Sequence, residues 1–327
     1  LETKRPDGSA NGIVVNRLKE KLGTRKLPTA ELTLDGTVAI PVGELANGVK
    51  AITPMLTITR TWNAVCAAAG MRRGLALARD YARRRTQFGA ALSQKPLHLE
   101  TFAGLQAEAE GAFHLAFRAV ELLGREERGQ ATEPERQLLR LLTPLAKLCT
   151  ARQAMAVMPE VLEVFGGAGY VEDAGISHLL RDAQVLPIWE GTTNVLSLDV
   201  LRALVERGAG EAYQAEIESL AREARVPTLA AAAKQALEAS SRAFAWLLEE
   251  SRRGREGAEA GARGFALTLA RSLELALLAR HGQWSIEHEK DGRAAAAATR
   301  FARHGADCLA AADPAAAALA DDRPLPT

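Results

Sequence analysis

Residues 51–84 read AITPMLTITRTWNAVCAAAGMRRGLALARDYARR, and this stretch decides the fold class. Apolar side chains recur in it every three or four positions, and it is rich in alanine, leucine and arginine, which favour helices. The pattern predicts one long helix. Helices are also predicted at 97–123, at 133–161, where Pro144 is expected to introduce a kink, and at 195–205. Long helices with short polar breaks indicate an antiparallel helical bundle.

Residues 12–42, which precede the helices, favour strands. A β-branched run opens this segment, and Glu31–Leu34 alternates between polar and apolar residues. Asp35-Gly36 is followed by a second alternating run that contains Val38 and Ile40. Because Asp-Gly between alternating runs is typical of a β-hairpin, a hairpin is predicted there. So few strands are too little sheet for an independent domain.

A second group of helices is predicted after the fourth long helix. Their ranges are about 211–225, 228–253, 258–280 and 291–312. Glycine and proline interrupt helices, so the breaks are expected at Pro227, Gly254–Gly261 and Gly282–Asp291.

The composition is that of an ordinary globular protein, with 47% hydrophobic residues, 25% charged residues and a formal net charge of +1. Such a balance gives no argument for nucleic acid or a membrane as the main partner. Cys66, Cys149 and Cys308 fit no metal-binding spacing and are interpreted as small apolar residues in a reducing compartment. The six histidines do not cluster in the sequence, so no metal site is predicted.

Two clusters could bind an anionic or flat ligand. Arg83–Gly89 closes the helix at 51–84, and its arginines either face the negative end of the helix dipole or include one that pairs with a phosphate. Phe165–Tyr170 contains three glycines. These glycines either end a helix or allow a ligand to approach the backbone closely. Neither cluster decides between its two interpretations alone.

A third cluster places Glu190 between Trp189 and Gly191, just before the helix at 195–205. Apolar neighbours raise the pKa of a carboxyl group, whereas a helix N-terminus lowers it. Taken alone, Glu190 fits a surface glutamate as well as a catalytic base.

In their order and spacing, the three clusters resemble motifs of the acyl-CoA dehydrogenase family. Arg181–Ala183 resembles a further family motif, and Lys21–Arg25 resembles part of the family's β-domain. The resemblance covers roughly residues 10–208. Within the family, the chain is most similar to the alkylation-response (AidB-like) branch. Leu142–Lys147 and Trp189–Arg202 carry that likeness, together with the long helical extension.

The resemblance implies a mainly α-helical chain in three parts. Residues 1–48 would be the C-terminal part of the middle β-domain, and 49–208 the antiparallel helical bundle of the acyl-CoA dehydrogenase type. Residues 209–327 would be a C-terminal helical extension. Because the chain begins with Leu1 and its first residues show no signal-peptide pattern, it is interpreted as starting in the middle of a longer protein.

The resemblance also implies site residues. Glu190 matches the family's usual catalytic base, and Thr59 matches the position where other members carry that base, but Thr59 has no carboxylate. FAD contacts across a dimer interface are implied for Arg85 and Phe88, and the loop beside the neighbour's FAD matches Glu163, Val164, Gly166 and Gly167. Further flavin contacts are implied for Thr192 and Asn194, and substrate contacts for Arg60 and Gly191.

The function implied by the resemblance is that of an FAD-dependent acyl-CoA dehydrogenase in the cytoplasm. Glu190 would remove the α-proton of an acyl-CoA thioester, the β-hydride would pass to flavin N5, and an electron-transfer flavoprotein would take the electrons. The protein would be a homodimer or homotetramer.

The alternative is an AidB-like flavoprotein with a DNA-binding or DNA-protective role and little turnover. Residues 203–327 contain 16 basic and 18 acidic residues. A net charge of −2 does not favour a duplex-binding extension. Arg252, Arg253 and Arg255 form only a small basic patch.

Overall fold

The computed structural model describes residues 2–205, 208–311, 313 and 315–324, and most of them are helical. The strands are β1 Ile13–Leu18, β2 Ala30–Leu34, β3 Thr86–Gln87 and β4 Ala90–Ala91. The helices are α1 Gly48–Ala51, α2 Thr53–Arg84, α3 Pro96–Glu127, α4 Glu133–Val164, α5 Gly167–Tyr170, α6 Ser177–Ala183, α7 Thr193–Val205, α8 Ala209–Glu223, α9 Pro227–Arg253, α10 Arg255–His288, α11 Arg293–His304 and α12 Ala316–Ala320. The predicted fold class, mainly helical after a short β segment, is confirmed.

Strands β1 and β2 form an antiparallel pair that residues 19–29 connect. The predicted hairpin at Asp35-Gly36 is wrong, because no strand follows β2 in this part of the described chain. Asn11 explains the difference. Its side chain donates to the Val38 carbonyl at 2.9 Å and accepts from the Val38 N–H at 2.8 Å. These bonds occupy the backbone N–H and carbonyl of Val38, which could otherwise have paired with a neighbouring strand.

Helices α2, α3 and α4 pack against one another and form the bundle. Every residue from Leu141 to Ala151 in α4 is buried, which requires a helix that is apolar on all faces. Helix α4 continues as one helix through Pro144 to Val164, beyond the end predicted at 161. Lys147 is the one charged residue of this run, and it is fully buried in the middle of it.

The C-terminal helices break at fewer residues than predicted. Gly254 ends α9 with φ 135°, but the longer break predicted at Gly254–Gly261 is wrong because α10 begins at Arg255. Glycines inside the predicted break pack against α9 instead: a Cβ atom on Gly261 would lie 2.1 Å from the Trp246 ring.

The break predicted at Gly282–Asp291 is wrong for a related reason, since α10 continues to His288. A Cβ atom on Gly282 would lie 2.9 Å from the Cα atom of Ala295. Glycine therefore lets α11 approach the backbone of α10 closely. This glycine marks a contact between helices, which the sequence does not distinguish from a helix end.

One hydrophobic cluster joins the bundle to the C-terminal helices. Leu115 of α3, Leu142 of α4 and Leu196 of α7 belong to the same buried cluster as Phe265 and Leu273 of α10. The buried core therefore continues across the predicted boundary between residues 208 and 209. The division into a bundle and an extension stays a prediction.

A buried polar cluster lies where α3, α4, α10 and α11 meet. Arg271 donates to both carboxylate oxygens of Glu108 at 3.0 Å, and His304 Nδ1 lies 2.7 Å from the same carboxylate. Gln153 bridges Glu108 to the fully buried Glu274, at 2.9 and 3.1 Å. Burial raises the pKa of Glu274 to about 8, Arg271 opposes this rise, and Glu108 adds to it. Glu274 therefore keeps its proton at neutral pH.

Candidate active site

Glu190 lies on the turn that leads from α6 into α7. Its backbone is left-handed with φ 60°, and Gly191 follows with φ 107°. The half-buried carboxylate accepts a hydrogen bond from Thr59 Oγ1, which lies 2.7 Å from Oε2. Thr59 stands near the start of α2, so the structure brings the predicted base next to the position at which other family members were expected to carry theirs.

The side chain of Arg60 binds the main chain of the same turn. Its Nε donates to the Glu190 carbonyl at 3.1 Å, and its Nη1 donates to Asp199 at 2.7 Å. Arg140 donates to the other oxygen of Asp199 at 3.0 Å. The side chains of Arg60 and Asp199 are 17% and 13% exposed, so solvent screens this ion pair only weakly. The guanidinium group of Arg60 is thus fixed by two contacts, one with Asp199 and one with the turn.

Lys147 reaches the turn from the middle of α4. Its Nζ donates to the Gly191 carbonyl at 2.5 Å, and within the described residues it has no carboxylate partner within 4 Å. Burial lowers the pKa of Lys147 to about 8, the nearby Arg60 cation lowers it further, and the Glu190 carboxylate opposes both. Two cations from different helices therefore bind consecutive carbonyls, those of Glu190 and Gly191.

A cavity of about 540 Å³ lies beside Glu190 and Thr59. Its wall is mainly apolar and comes from α2, α4, α6 and the turn before α7; it includes Trp62, Cys66, Met158, Leu179, Leu186 and Trp189. The β segment closes one side through Thr24 and Leu27. Thr24 is fixed there because its N–H donates to Asp182 at 2.6 Å. The arrangement places a half-buried carboxylate on the wall of a mainly apolar cavity.

A second cavity, of about 580 Å³, lies at the other end of α2 and α4. Rings of Tyr81 and Phe165 pack with centroids 4.7 Å apart and hold the two helix ends together. The predicted cofactor residues Arg85, Phe88, Glu163, Val164, Gly166 and Gly167 all line this cavity. The structure therefore brings together six residues that lie in two separate parts of the sequence.

The loop after α2 is a tight hairpin between β3 and β4. Phe88 and Gly89 form its tip with φ 50° and 77°, and the Phe88 side chain is 97% exposed. Lys95 Nζ donates to the Phe88 carbonyl at 3.1 Å, which fixes the tip. Arg85 is also exposed and makes no ion pair with the described residues, so its guanidinium is available to an anion.

The Gly166–Gly167 segment offers space above the backbone. Gly166 has φ 58° and ψ −139°, a backbone conformation that residues other than glycine rarely adopt. A Cβ atom on either glycine would meet no atom within 4 Å. Glycine is therefore required here by the backbone conformation, and the open space is compatible with a bound group.

The two groups of predicted site residues do not meet within one chain. Thr59 lies beside Glu190, near the start of α2, and Arg85 follows the end of this helix. The chain between Thr59 and Arg85 spans about 39 Å at 1.5 Å per residue. Thr192 and Asn194, the other predicted flavin contacts, are exposed next to Glu190. A single dinucleotide is shorter than this separation and cannot contact both groups of the same chain.

Sequence reasoning missed Lys147 and Asp199 as members of the site. Both belong to the segments that resemble the AidB-like branch, Leu142–Lys147 and Trp189–Arg202. A signal was present, because each is the one charged residue in a helical run, Leu141–Cys149 and Val195–Leu201. A charge at such a position must be paired or hydrogen-bonded.

Other candidates offer less chemistry. His114 and His281 are adjacent in space, with ring centroids 4.5 Å apart, although no such pairing was predicted from the sequence. Among the described residues no group of three or more His, Cys, Asp or Glu is placed to hold a metal ion. Arg253 pairs with Glu249 and Glu250, and Arg255 with Glu259, so acidic partners bind two of the three arginines of the small basic patch. No described helix is long and apolar enough to cross a bilayer.

These elements define the chain as a helical-bundle protein with a carboxylate on the wall of an apolar cavity. Residues 46–205 match the family model of the acyl-CoA dehydrogenase C-terminal domain. This part of the chain therefore belongs to the acyl-CoA dehydrogenase family, as the resemblance predicted.

Individual proteins agree with this assignment. Acyl-CoA dehydrogenase family member 11 of Caenorhabditis elegans is 51% identical over 202 residues, which are 62% of this chain and 33% of that protein. AidB of Escherichia coli is 36% identical over 199 residues, 61% of this chain and 36% of AidB. The chain thus spans about a third of the length of these curated relatives.

The crystal structure of Caenorhabditis elegans ACDH-11 in complex with C11-CoA superposes with a TM-score of 0.90 at 39% sequence identity. The match covers 95% of this chain and 53% of that one. It therefore includes most of the C-terminal helices, which lie outside the family model.

Proposed function

We propose that the chain is the base-carrying part of an FAD-dependent acyl-CoA dehydrogenase. The observation that carries this proposal is the position of the Glu190 carboxylate, on the wall of the apolar cavity and 2.7 Å from Thr59 Oγ1. An acyl chain is apolar, and a base that must remove a weakly acidic α-proton acts best where water is excluded. The C11-CoA bound to the similar structure supports an acyl-CoA thioester as substrate.

Glu190 acts as the general base in this proposal. Thr59 orients the carboxylate, and Arg60 holds the turn that carries it. The Glu190 N–H has no hydrogen-bond acceptor among the described residues, so it is free to donate to the thioester carbonyl oxygen as negative charge develops there. The flavin, when bound, supplies the acceptor for the hydride that leaves the β-carbon.

The FAD site is proposed to form between two copies of the chain. Glu190, Thr192 and Asn194 of one copy would face the flavin ring, and the cavity beside Arg85 and Gly166 of the other would hold the phosphates. The separation of about 39 Å along α2 supports this arrangement, because one FAD cannot contact both groups of one chain. The open space at Gly166 and the unpaired Arg85 fit a pyrophosphate.

The proposal includes a homodimer or homotetramer, an electron-transfer flavoprotein as the electron acceptor, and a cytoplasmic location. The free cysteines at 66, 149 and 308 are compatible with a reducing compartment. No observation favours the DNA-binding alternative, so it is not proposed.

Saturated acyl-CoA is expected to bleach the flavin absorbance of the FAD-loaded protein under anaerobic conditions. The reason is that oxidation of the acyl chain must reduce the flavin when no acceptor is present. The measurement is a stopped-flow absorbance trace with acyl-CoA esters of different chain lengths, and the matched control is the 2,3-unsaturated ester, which has no hydride to give. A flavin that stays oxidised with every saturated ester would contradict the proposed function.

Arg85→Ala is expected to weaken FAD binding roughly 10- to 100-fold, because a hydrogen bond from a cation to a phosphate is lost. FAD retained after gel filtration and a fluorescence titration of the apoprotein measure the change. Arg83→Ala is the control, since Arg83 is exposed on the preceding turn and does not line the cavity. Equal FAD affinities of the two variants would show that Arg85 does not bind the phosphates.

A further inference from the structure

The turn that carries Glu190 adopts a conformation that needs support. Glu190 and Gly191 both have positive φ, and a left-handed backbone is unfavourable for a residue with a side chain. Such a conformation persists only where the surrounding structure determines it. The groups that bind this turn therefore decide where the Glu190 carboxylate lies.

Two cations bind the turn on adjacent peptide groups. Arg60 Nε donates to the Glu190 carbonyl at 3.1 Å, and Lys147 Nζ donates to the Gly191 carbonyl at 2.5 Å. In a planar trans peptide, the direction of the carbonyl fixes the direction of the next N–H. The two donors thus orient both peptide groups that follow the carboxylate.

Lys147 differs from Arg60 in having no counter-charge bound to it. Asp199 pairs with Arg60 and with Arg140, whereas Lys147 is fully buried and has no carboxylate partner within 4 Å among the described residues. A buried cation without an ion pair destabilises a fold. Its presence at this position calls for a role other than stability.

We propose that Lys147 is a positioning residue for the reaction of Glu190: it holds the Glu190–Gly191 turn through the Gly191 carbonyl and supplies a buried positive charge near the Glu190 carboxylate. This inference rests on the proposed function, because it assigns Lys147 a part in the same proton transfer. Lys147 touches no substrate in this scheme and acts only through Glu190.

The charged groups near Lys147 set the pH range in which it acts. They are Arg60 on α2 and Glu190 on the turn; Asp199 on α7 pairs with Arg60 and with Arg140 on α4. Burial, followed by the Arg60 cation, lowers the pKa of Lys147 to about 8. Lys147 is therefore mostly protonated at neutral pH, and the hydrogen bond that its cation donates to the Gly191 carbonyl weakens above pH 8.

Lys147→Met is expected to slow flavin reduction by acyl-CoA on the order of 10- to 100-fold at pH 7, because the carboxylate is no longer held in place. The rate of the wild-type protein should fall above about pH 8, where Lys147 loses its proton, and this fall should be absent in Lys147→Met. The melting temperature should stay the same or rise, because a buried cation is removed. A purely structural residue would instead lower the melting temperature and leave the pH profile unchanged.

Lys147→Gln separates the two parts of the role. Glutamine can donate to the Gly191 carbonyl but carries no charge, so we expect the rate to recover in part while the fall in rate above pH 8 stays absent. Lys234→Met is the matched control, because Lys234 is exposed on α9, and it should leave rate, profile and melting temperature unchanged.

A measurement without turnover makes the test independent of the proposed function. Lysine labelled with ¹³C at Cε is introduced into the chain, and the Lys147 signal is assigned by its loss in Lys147→Met. The pKa of Lys147, about 8 in the wild-type chain, should fall in Glu190→Gln, because the Glu190 carboxylate raises it. If this shift occurs but no acyl-CoA bleaches the flavin, the proposed function fails and the role of Lys147 stands. If the wild-type protein turns over and Lys147→Met keeps the wild-type rate and pH profile, the role of Lys147 is overturned.

Discussion

Replacing Glu190 by glutamine is expected to lower the rate of flavin reduction by acyl-CoA roughly 10³-fold or more while leaving the fold unchanged. Glutamine has nearly the same volume and can still accept the hydrogen bond that Thr59 donates, at 2.7 Å in the wild-type chain. It cannot accept the α-proton, and loss of a general base costs about 10²- to 10⁴-fold. Stopped-flow flavin absorbance measures the rate, and circular dichroism checks the fold.

Glu211→Gln is the control for this variant, because Glu211 is exposed at the start of α8, away from the cavity. It should reduce flavin at the wild-type rate. FAD content must be equal in all three proteins, so that a lower rate reports on the proton transfer. A Glu190→Gln protein that still reduces its flavin at the wild-type rate would move the base to another residue.

Glu274→Gln is expected to stabilise the chain at pH 8 by several kcal/mol and to leave its stability at pH 4 unchanged. Burial raises the folded-state pKa of Glu274 from 4.5 to about 8. Below pH 4.5 both the folded and unfolded states keep the proton. Between pH 4.5 and 8 only the unfolded state loses it, so the free energy of unfolding of the wild-type chain falls as pH rises. Above pH 8 both states are ionised and the loss is complete.

Urea unfolding at pH values from 4 to 9 measures this difference between Glu274→Gln and the wild-type chain. Subtraction removes the contributions of other groups, including His304 and Glu108 in the same cluster. Glu256→Gln, an exposed residue of the same helix, is the control and should give no pH-dependent difference. A difference that does not change between pH 5 and 8 would show that Glu274 is ionised in the folded chain.

The sequence predicts the long helices well because their apolar period of 3.6 is a local property. Helix α2 was expected at 51–84 and forms at Thr53–Arg84. The breaks between helices were predicted less well. A glycine can end a helix or allow close packing inside one, and local sequence does not distinguish these two roles. Gly254 ends a helix, whereas Gly282 lies inside one and allows Ala295 of α11 to approach. Only the tertiary packing decides between them.

The candidate site was predicted where chemistry is concentrated in one motif and missed where distant segments meet. Glu190 is recognisable beside Trp189 and Gly191. Its contact with Thr59 joins residues 131 positions apart, and the contact of Lys147 with Gly191 spans 44 positions. Such contacts follow from how α2, α4 and the turn before α7 pack, which periodicity alone does not specify.

The hydrophobic core that the bundle shares with α10 restricts the deletions that such a protein can tolerate during evolution. The matched family domain ends at residue 205, but Leu115, Leu142 and Leu196 are buried in the same cluster as Phe265 of α10. Deleting the C-terminal helices would expose apolar side chains on three helices at once. Several compensating substitutions would have to precede such a deletion. The two parts are therefore expected to be inherited as one unit, and gene rearrangements that separate them should be selected against.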